Sequence, residues 1–326
     1  GLWTIGGWEG LVDKIVPTHP HHLKLYLPAD HPIYPWPAVI LGLAFVASPA
    51  WWCCNQAMIQ RTLGAKTEWD AKAGMMFAGF PKMFVPFLTI IPGLIALALN
   101  PDLTGPDMDK AYPWLLQFLP AGFKGIAFAA LAAAIVSSLA SMLNSTSTIF
   151  TMDIYKPYMN PKASNKQTVR TGRVTAAVAL LIAVLIAPML GGLDQAFQYI
   201  QEYTGVVSPG ILAVFMLGLF WKKTTNKGAI YGVLASIPIA LYFKVAPKGW
   251  SDSPLFVNIP FLDQMGYTAL LTMGVIVVVS WFDGKGKDSQ KGIDLSADLF
   301  KTSNQFNIGA FAVLIVLTAL YALMWN

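Results

Sequence analysis

The chain has 326 residues, of which 55% are hydrophobic and only 12% charged, and its mean hydropathy is +0.54. Soluble proteins carry about 25% charged residues, so this composition excludes an ordinary globular protein and predicts a polytopic membrane protein. The net charge of +5 is then assigned to the loops between spans, and a nucleic-acid partner is not expected.

Eight stretches are long and apolar enough to cross a bilayer, which takes about 20 residues. They are 35–58, 75–99, 123–149, 173–193, 203–221, 228–247, 262–282 and 306–325. Because lipid offers no hydrogen bonds to the backbone, all eight are predicted to be helices, which makes the fold all-α. Residues 1–34 are predicted to form an extracytoplasmic loop, and the start at Gly1 leads us to expect that an N-terminal portion precedes this chain.

The positive charges sort these spans by orientation. Fifteen of the 22 Lys and Arg residues lie in one set of alternate loops: Arg61, Lys66, Lys72, Lys156, Lys162, Lys166, Arg170, Arg173, Lys222, Lys223, Lys227, Lys285, Lys287, Lys291 and Lys301. Cytoplasmic loops are enriched in Lys and Arg, so this set is predicted to be cytoplasmic. The first span then enters from outside, and the chain ends outside at Asn326.

The first span contains a proline. In "AFVASPAWWCCNQAMIQR" (44–61), Pro49 follows Ser48, and Trp51 and Trp52 come directly after it. A broken helix is tolerated in a membrane where it lines a cavity, and such breaks mark the binding sites of transporters. An aromatic pair at the break suits stacking on a sugar or a cation. A simple proline kink with packed indoles is the alternative.

A charge lies inside the second span. In "GFPKMFVPF" (79–87), Lys82 stands between Pro81 and Pro86. An ionisable residue at membrane depth indicates a functional site by default. Lysine can also extend to the headgroups from near a helix end, and this interpretation remains open.

The third span is unusually rich in hydroxyl groups. "AAAIVSSLASMLNSTST" (132–148) places small residues on one helical face: Ala127, Ala130, Ala134, Ser137, Ser138, Ser141, Ser145 and Thr148. Small residues permit close helix packing, and serines bond across helices. Neutral oxygens also suit a monovalent cation that must be released again, so a cation site is the second interpretation. The lower hydroxyls could serve packing or a hydrated path.

Polar residues also enter the fifth span, in "GGLDQAFQYIQEYTGVVSPGI" (191–211), where they could face a pocket or the outer surface. No nucleophile elbow, zinc-protease helix or phosphate-binding loop occurs in the sequence. We therefore do not expect an enzyme.

Several long stretches together resemble the sodium:solute symporter family, and within it the sodium/glucose and sodium/galactose cotransporters. They are "AALAAAIVSSLASMLNSTSTIFTMDIY" (129–155), "NQAMIQRTLGAK" (55–66), "AFQYIQEYTGVVSPGILAVFMLGLFWKKTTNKGA" (196–229) and the region around Lys82. The resemblance covers nearly the whole chain after about residue 30. It implies a LeuT-type fold of two inverted five-helix repeats, located in the plasma membrane, which in bacteria is the inner membrane.

Under this resemblance, residues 35–221 are the second repeat, which opens with a helix broken at Ser48–Pro49. Residues 222–326 are three peripheral helices, and the first repeat is missing from this chain.

The resemblance also implies functional residues. Ala134, through its carbonyl, and Ser137 and Ser138, through their hydroxyls, would form half of a sodium site, and the missing repeat would supply the other half. The sugar-site positions it implies are Lys82, Gln201, Ser48, Trp51 and Trp52, with Phe197 beside the pocket. Trp51 replaces a tyrosine of galactose-transporting relatives and Ser48 an asparagine, so the sugar itself is not determined.

The function implied is sodium-coupled symport of a sugar or polyol by alternating access. The alternatives are a sodium symporter for another small solute such as inositol or an amino acid, a sugar sensor without net transport, and a structural membrane subunit. Polar groups inside three separate spans argue against the last of these.

Overall fold

The computed structural model describes residues 1–103, 105–190, 196–245, 259–288 and 292–323, and helices are the only regular secondary structure among them. The helices are α1 (Gly7–Ile15), α2 (Trp36–Cys53), α3 (Gln56–Leu63), α4 (Glu68–Leu99), α5 (Ala111–Leu115), α6 (Ala121–Met159), α7 (Asn165–Leu190), α8 (Ala196–Phe220), α9 (Asn226–Val245), α10 (Phe261–Gly284) and α11 (Asn304–Leu323). Short 3₁₀ turns lie at Trp3–Ile5, Gly105–Lys110, Leu116–Phe118 and Ala297–Phe300.

Eight of these helices are long and apolar enough to cross a membrane, namely α2, α4 and α6–α11. This confirms the predicted all-α polytopic membrane protein and its eight spans in the predicted order. Several helices begin or end beyond the predicted limits, because polar turns such as Glu68–Asp70 continue a helix outside the apolar stretch. The predicted span ends at 191–193, 246–247 and 324–325 lie outside the described residues.

The first span is not broken at Ser48–Pro49, where the sequence predicted an interruption. Residues Val39–Ala47 form a π-helix, in which the Ser48 amide donates to the Leu43 carbonyl, and an α-helix continues from Ser48 to Cys53. The wider π turn accommodates the ring of Pro49 without a break. The helix ends instead at Cys53, and Asn55 then caps α3 by accepting a 2.9 Å hydrogen bond from the Ala57 amide.

The chain divides into two compact units. The first comprises Gly1–His22, Gln60–Ala65 and Pro81–Ala196, and the second comprises Leu23–Ile59, Lys66–Phe80 and Phe197–Asn326. These units are defined by contacts, and they do not follow the predicted boundaries at 34 and 221. The assignment of residues 35–221 to a repeat and of 222–326 to peripheral helices therefore stays a prediction.

The second unit is held together by small residues on α9. Gly228, Gly232, Ser236 and Ala240 recur every four residues and are buried. A Cβ atom on Gly232 would lie 2.3 Å from Ile276 Cγ1 of α10. Since helices in lipid associate through close van der Waals packing, this stripe brings α9 and α10 together.

The core of the second unit joins α2, α8 and α10. Its buried members are Ala38, Val46, Ala50, Leu212, Leu262, Met265 and Ala269. Gly42 permits the approach, because a Cβ atom there would meet the Leu262 carbonyl oxygen at 2.0 Å. This contact fixes which face of α2 is buried and which is left to present side chains outward.

The first unit is packed differently, with few buried apolar side chains along its spans. No residue is buried in the most apolar stretches of the described helices α6 and α7. The buried residues of α6, Ser145 and Thr151, lie in its C-terminal part, where Ser147 Oγ donates a 2.8 Å hydrogen bond to the Gly172 carbonyl of α7.

Candidate functional site

The predicted sodium ligands lie together on α6, in the first unit. Ala134, Ser137 and Ser138 occupy little more than one helical turn, and all three are exposed. Within the part of the chain that the structure describes, the hydroxyls of Ser137 and Ser138 make no hydrogen bond. Both hydroxyls are therefore available to a ligand on this face.

Hydroxyls further along α6 are engaged. Ser141 Oγ donates to the Ser137 carbonyl at 3.1 Å, Thr146 Oγ1 to the Met142 carbonyl at 2.9 Å, and Thr148 Oγ1 to the Asn144 carbonyl at 2.8 Å. Each of these bonds closes onto the preceding turn of the same helix. The hydroxyls of Ser141, Thr146 and Thr148 are thus bonded to their own helix backbone, whereas those of Ser137 and Ser138 are not.

A polar contact that the sequence analysis missed lies next to Ser137. Arg61 donates to the hydroxyl of Ser141, Gln60 Nε2 donates to the Ser141 carbonyl at 3.5 Å, and Asn144 Nδ2 donates to Gln60 Oε1 at 2.9 Å. These bonds place the C-terminal end of α3 against α6, one turn beyond the serine pair. The two partners are about 80 positions apart in the chain, so no local pattern could have revealed them.

The predicted aromatic pair lies on the outward side of α2, in the second unit. Ala50 is buried in the core, whereas Trp51 and Trp52 are 40% and 39% exposed. Successive helical residues are rotated by about 100°, so burial of Ala50 turns both indoles away from the core. Ser48 is half-buried, two residues before Ala50.

Lys82 is exposed on α4 and directly follows Pro81. Because α4 begins at Glu68 rather than at 75, Lys82 lies about 21 Å along the helix axis from its first residue. The helix runs through Pro81, Pro86 and Pro92 without a break. Lys82 is thus held well inside a continuous helix.

Gln201 lies on α8 and is exposed. Phe197 is on the same helix, and its side chain lies outside the part that the structure describes. The neighbours of Gln201 are more informative: Gln198 and Glu202 line a cavity of about 180 Å³ in the second unit, together with Lys244 of α9.

An ion pair inside this cavity joins two spans. Lys244 Nζ lies 3.3 Å from Glu202 Oε2 and 3.9 Å from the centre of the Tyr203 ring, and Gln198 Nε2 donates to Glu202 Oε1 at 3.2 Å. The lysine and glutamate side chains are only 18% and 28% exposed. The sequence alone did not predict this ion pair. Their opposite signs near the predicted outer ends of adjacent spans were the available signal.

The structure brings some of the predicted residues into the same unit. Lys82 and the sodium-ligand candidates belong to the first unit, whereas Ser48, Trp51, Trp52 and Gln201 belong to the second. No group of three or more His, Cys, Asp or Glu side chains suited to a metal ion occurs among the described residues. The proposed sodium ligands are of another kind, a carbonyl and two hydroxyls.

Comparison with known proteins agrees with these features. The family model for the sodium:solute symporter family matches residues 2–236. A sodium/glucose cotransporter of Vibrio parahaemolyticus is 52% identical, over 98% of this chain and 60% of that protein. The human sodium/myo-inositol cotransporter 2 is 32% identical, over 85% of the chain and 47% of that protein. A zebrafish (Danio rerio) sodium/glucose cotransporter 4 is 35% identical, over 64% and 34%.

The chain spans 60% or less of the length of these relatives, and the family match over residues 2–236 extends through the helices that carry the candidate residues. Its eight apolar helices and its relatives make it a multi-pass protein of the plasma membrane, which in bacteria is the inner membrane. The chain belongs to the sodium:solute symporter family.

Proposed function

We propose that the protein couples the entry of sodium to the uptake of a sugar or polyol related to glucose or galactose. The observation that carries this proposal is the pair of unengaged hydroxyls at Ser137 and Ser138, in a chain 52% identical to a sodium/glucose cotransporter. The role is transport rather than catalysis.

The sodium ion would bind to α6 through the Ala134 carbonyl and the hydroxyls of Ser137 and Ser138. Hard cations prefer oxygen ligands, and a set of neutral oxygens allows the ion to be released after each cycle. Three ligands on one helical face leave the opposite side of the ion open. The remaining ligands would come from the first five-helix repeat of a LeuT-type fold, in which a discontinuous helix faces α6.

The substrate would be recognised by polar and aromatic side chains. The Lys82 ammonium and the Gln201 amide can hydrogen-bond to sugar hydroxyls. Trp51 and Trp52 present apolar faces on which a pyranose ring can stack, and Ser48 can add a hydroxyl contact.

Coupling would follow from alternating access. Sodium enters down its concentration gradient and the membrane potential, which supplies about 2.3 kcal/mol per charge per 100 mV. Bound sodium would favour the outward-open state in which the sugar site forms. Because ion and sugar bias the same equilibrium, each must raise the affinity for the other by the same factor.

The ion site is tested by sodium-dependent uptake into proteoliposomes that contain the full-length protein. Hydrogen bonds and contacts to a charged group contribute about 1.5–3 kcal/mol, so Ser138→Ala should raise the sodium concentration for half-maximal uptake about tenfold or more. Thr146→Val is the control, since the Thr146 hydroxyl bonds within its own helix. Unchanged sodium dependence in Ser138→Ala would refute the assignment.

The substrate is tested in the same vesicles with labelled galactose, glucose, inositol and proline. Uptake of galactose or glucose is expected. Preference for inositol would identify the substrate as a polyol, in line with the 32% identity to an inositol cotransporter. Uptake of proline alone would refute the sugar assignment, and sugar-evoked sodium current without accumulated sugar would identify a sensor.

A further inference from the structure

A second cavity lies between the C-terminal part of α6 and the N-terminal part of α7, and its lining begins at Ala140, two residues after Ser138. It measures about 510 Å³ and lies entirely within the first unit. Its polar lining consists of Asn144, Ser147, Thr148, Thr151, Thr168 and Arg173, and the rest of its wall is mostly aliphatic. The cavity therefore combines a polar cluster with an apolar surface.

One buried hydroxyl of this lining has no hydrogen-bond partner among the described residues. Ser147 donates to the Gly172 carbonyl at 2.8 Å, Thr148 to the Asn144 carbonyl at 2.8 Å and Thr168 to the Ser164 carbonyl at 3.0 Å. Thr151 is 3% exposed, and its hydroxyl has no partner within the described part of the chain. An unsatisfied buried hydroxyl costs about 1–3 kcal/mol, so a ligand that accepts its proton would be favoured here.

Arg173 determines the sign of that ligand. Its guanidinium offers five N–H donors in a planar fork that matches phosphate oxygens, and it forms no ion pair among the described residues. Between Phe150 and Arg173 the chain carries five Lys and Arg residues and a single acid, Asp153. The local field thus attracts an anion.

The position of Arg173 along α7 favours a lipid over a soluble anion as the ligand. Arg173 is the last charged residue of α7 before the apolar run 174–187, on the side predicted to be cytoplasmic. This position corresponds to the headgroup level. Leu143, Val169 and Ala176 add an aliphatic wall, against which the first carbons of an acyl chain can lie.

We propose that the cavity between α6 and α7 binds the headgroup phosphate of an anionic phospholipid of the cytoplasmic leaflet. Arg173 provides the charge-assisted hydrogen bonds, and the Thr151 hydroxyl donates to another phosphate oxygen. Gly172 permits α6 and α7 to approach closely beside the cavity, because a Cβ atom there would lie only 2.9 Å from Ser147 Oγ and 3.5 Å from Thr151 Oγ1. Basic cavities between helices on the cytoplasmic side are suited to such headgroups.

The test uses the purified full-length protein in detergent, with native mass spectrometry to count phosphatidylglycerol and phosphatidylcholine adducts in a titration of each lipid. The wild type should retain phosphatidylglycerol preferentially. Arg173→Gln should weaken that binding about fivefold or more, because one basic residue near an anionic surface contributes about 1 kcal/mol. Arg170→Gln, which removes the same charge one turn away and outside the cavity, is the matched control.

Thr151→Val keeps the size of the side chain and removes its donor. It should weaken phosphatidylglycerol binding without lowering the melting temperature of the lipid-free protein, since it also removes the unsatisfied hydroxyl.

Four results would overturn the proposal. Equal retention of the two lipids by the wild type, or an equal loss in Arg173→Gln and Arg170→Gln, would exclude a specific headgroup site. Displacement of the lipid by millimolar inorganic phosphate would assign the cavity to a soluble anion. A lower melting temperature of lipid-free Arg173→Gln, with lipid binding unchanged, would mean that Arg173 pairs with another part of the protein.

Discussion

The close packing of α9 against α10 predicts that one methyl group at Gly228 destabilises the protein. A Cβ atom at this position would lie 2.0 Å from Ser280 Oγ and 3.0 Å from the Ile276 carbonyl oxygen. Ser280 is fully buried and accepts a 3.1 Å hydrogen bond from the Thr225 amide. The methyl group must therefore push the helices apart by about 1.5 Å or displace Ser280 from this bond, because optimal contacts between non-bonded heavy atoms are about 3.5–4.0 Å.

The magnitude follows from these two effects. Overpacking costs about 1–3 kcal/mol, and loss of the Ser280 hydrogen bond costs about 0.5–1.5 kcal/mol more. Alanine regains about 1 kcal/mol over glycine as a helix former. Gly228→Ala should thus destabilise the protein by about 1–3 kcal/mol.

The assay heats samples of the purified full-length protein and measures, by size-exclusion chromatography, the temperature at which the monodisperse peak is lost. Gly274→Ala on α10 is the matched control, since no atom lies within 4 Å of a Cβ there; it should be neutral or stabilising. Adding Ser280→Gly to Gly228→Ala should recover part of the loss by restoring space. If Gly228→Ala were as stable as Gly274→Ala, the packing argument would be refuted.

Three further predictions concern individual polar groups. Glu202→Gln and Lys244→Met should each destabilise the protein, because each change leaves a half-buried charge unpaired. The double variant should lose about 1 kcal/mol less stability than the sum of the two single losses. Additive losses would mean that the pair is uncoupled. Asn55→Ala should cost about 1 kcal/mol through loss of the cap on the Ala57 amide, whereas Asn55→Asp should keep it. Burial, and then the neighbouring histidines, lower the pKa of His22 below its ordinary value of 6.5. The folded state therefore favours the neutral ring. The contribution of His22 to stability should be fully present above about pH 6.5 and should decline as the pH falls below it. His22→Gln should flatten this decline between pH 7.5 and 5.

Local sequence patterns were sufficient for some features of the candidate site. The eight spans follow from apolar length alone, and helical spacing predicted a hydroxyl-bearing face on an uncharged span. That Ser137 and Ser138 are the sodium ligands was implied by the family resemblance and stays a prediction. The break predicted at Pro49 was wrong, because a proline pattern does not distinguish a kink, a break and a π segment. Which of these forms depends on the room that neighbouring helices leave around the ring.

The sequence by itself determined that the protein is helical and embedded in a membrane, and which helix carries the hydroxyls proposed to bind sodium. These properties depend on apolar run length and on the period of one helix, which are local. Only the tertiary structure decided that Ser141 is bonded to Arg61, that Glu202 pairs with Lys244, and that Thr151 is buried without a partner beside Arg173. Each of these depends on contacts between different helices. In lipid such contacts are set by the shape of small residues and by a few polar bonds, not by an apolar pattern that every lipid-facing helix shares.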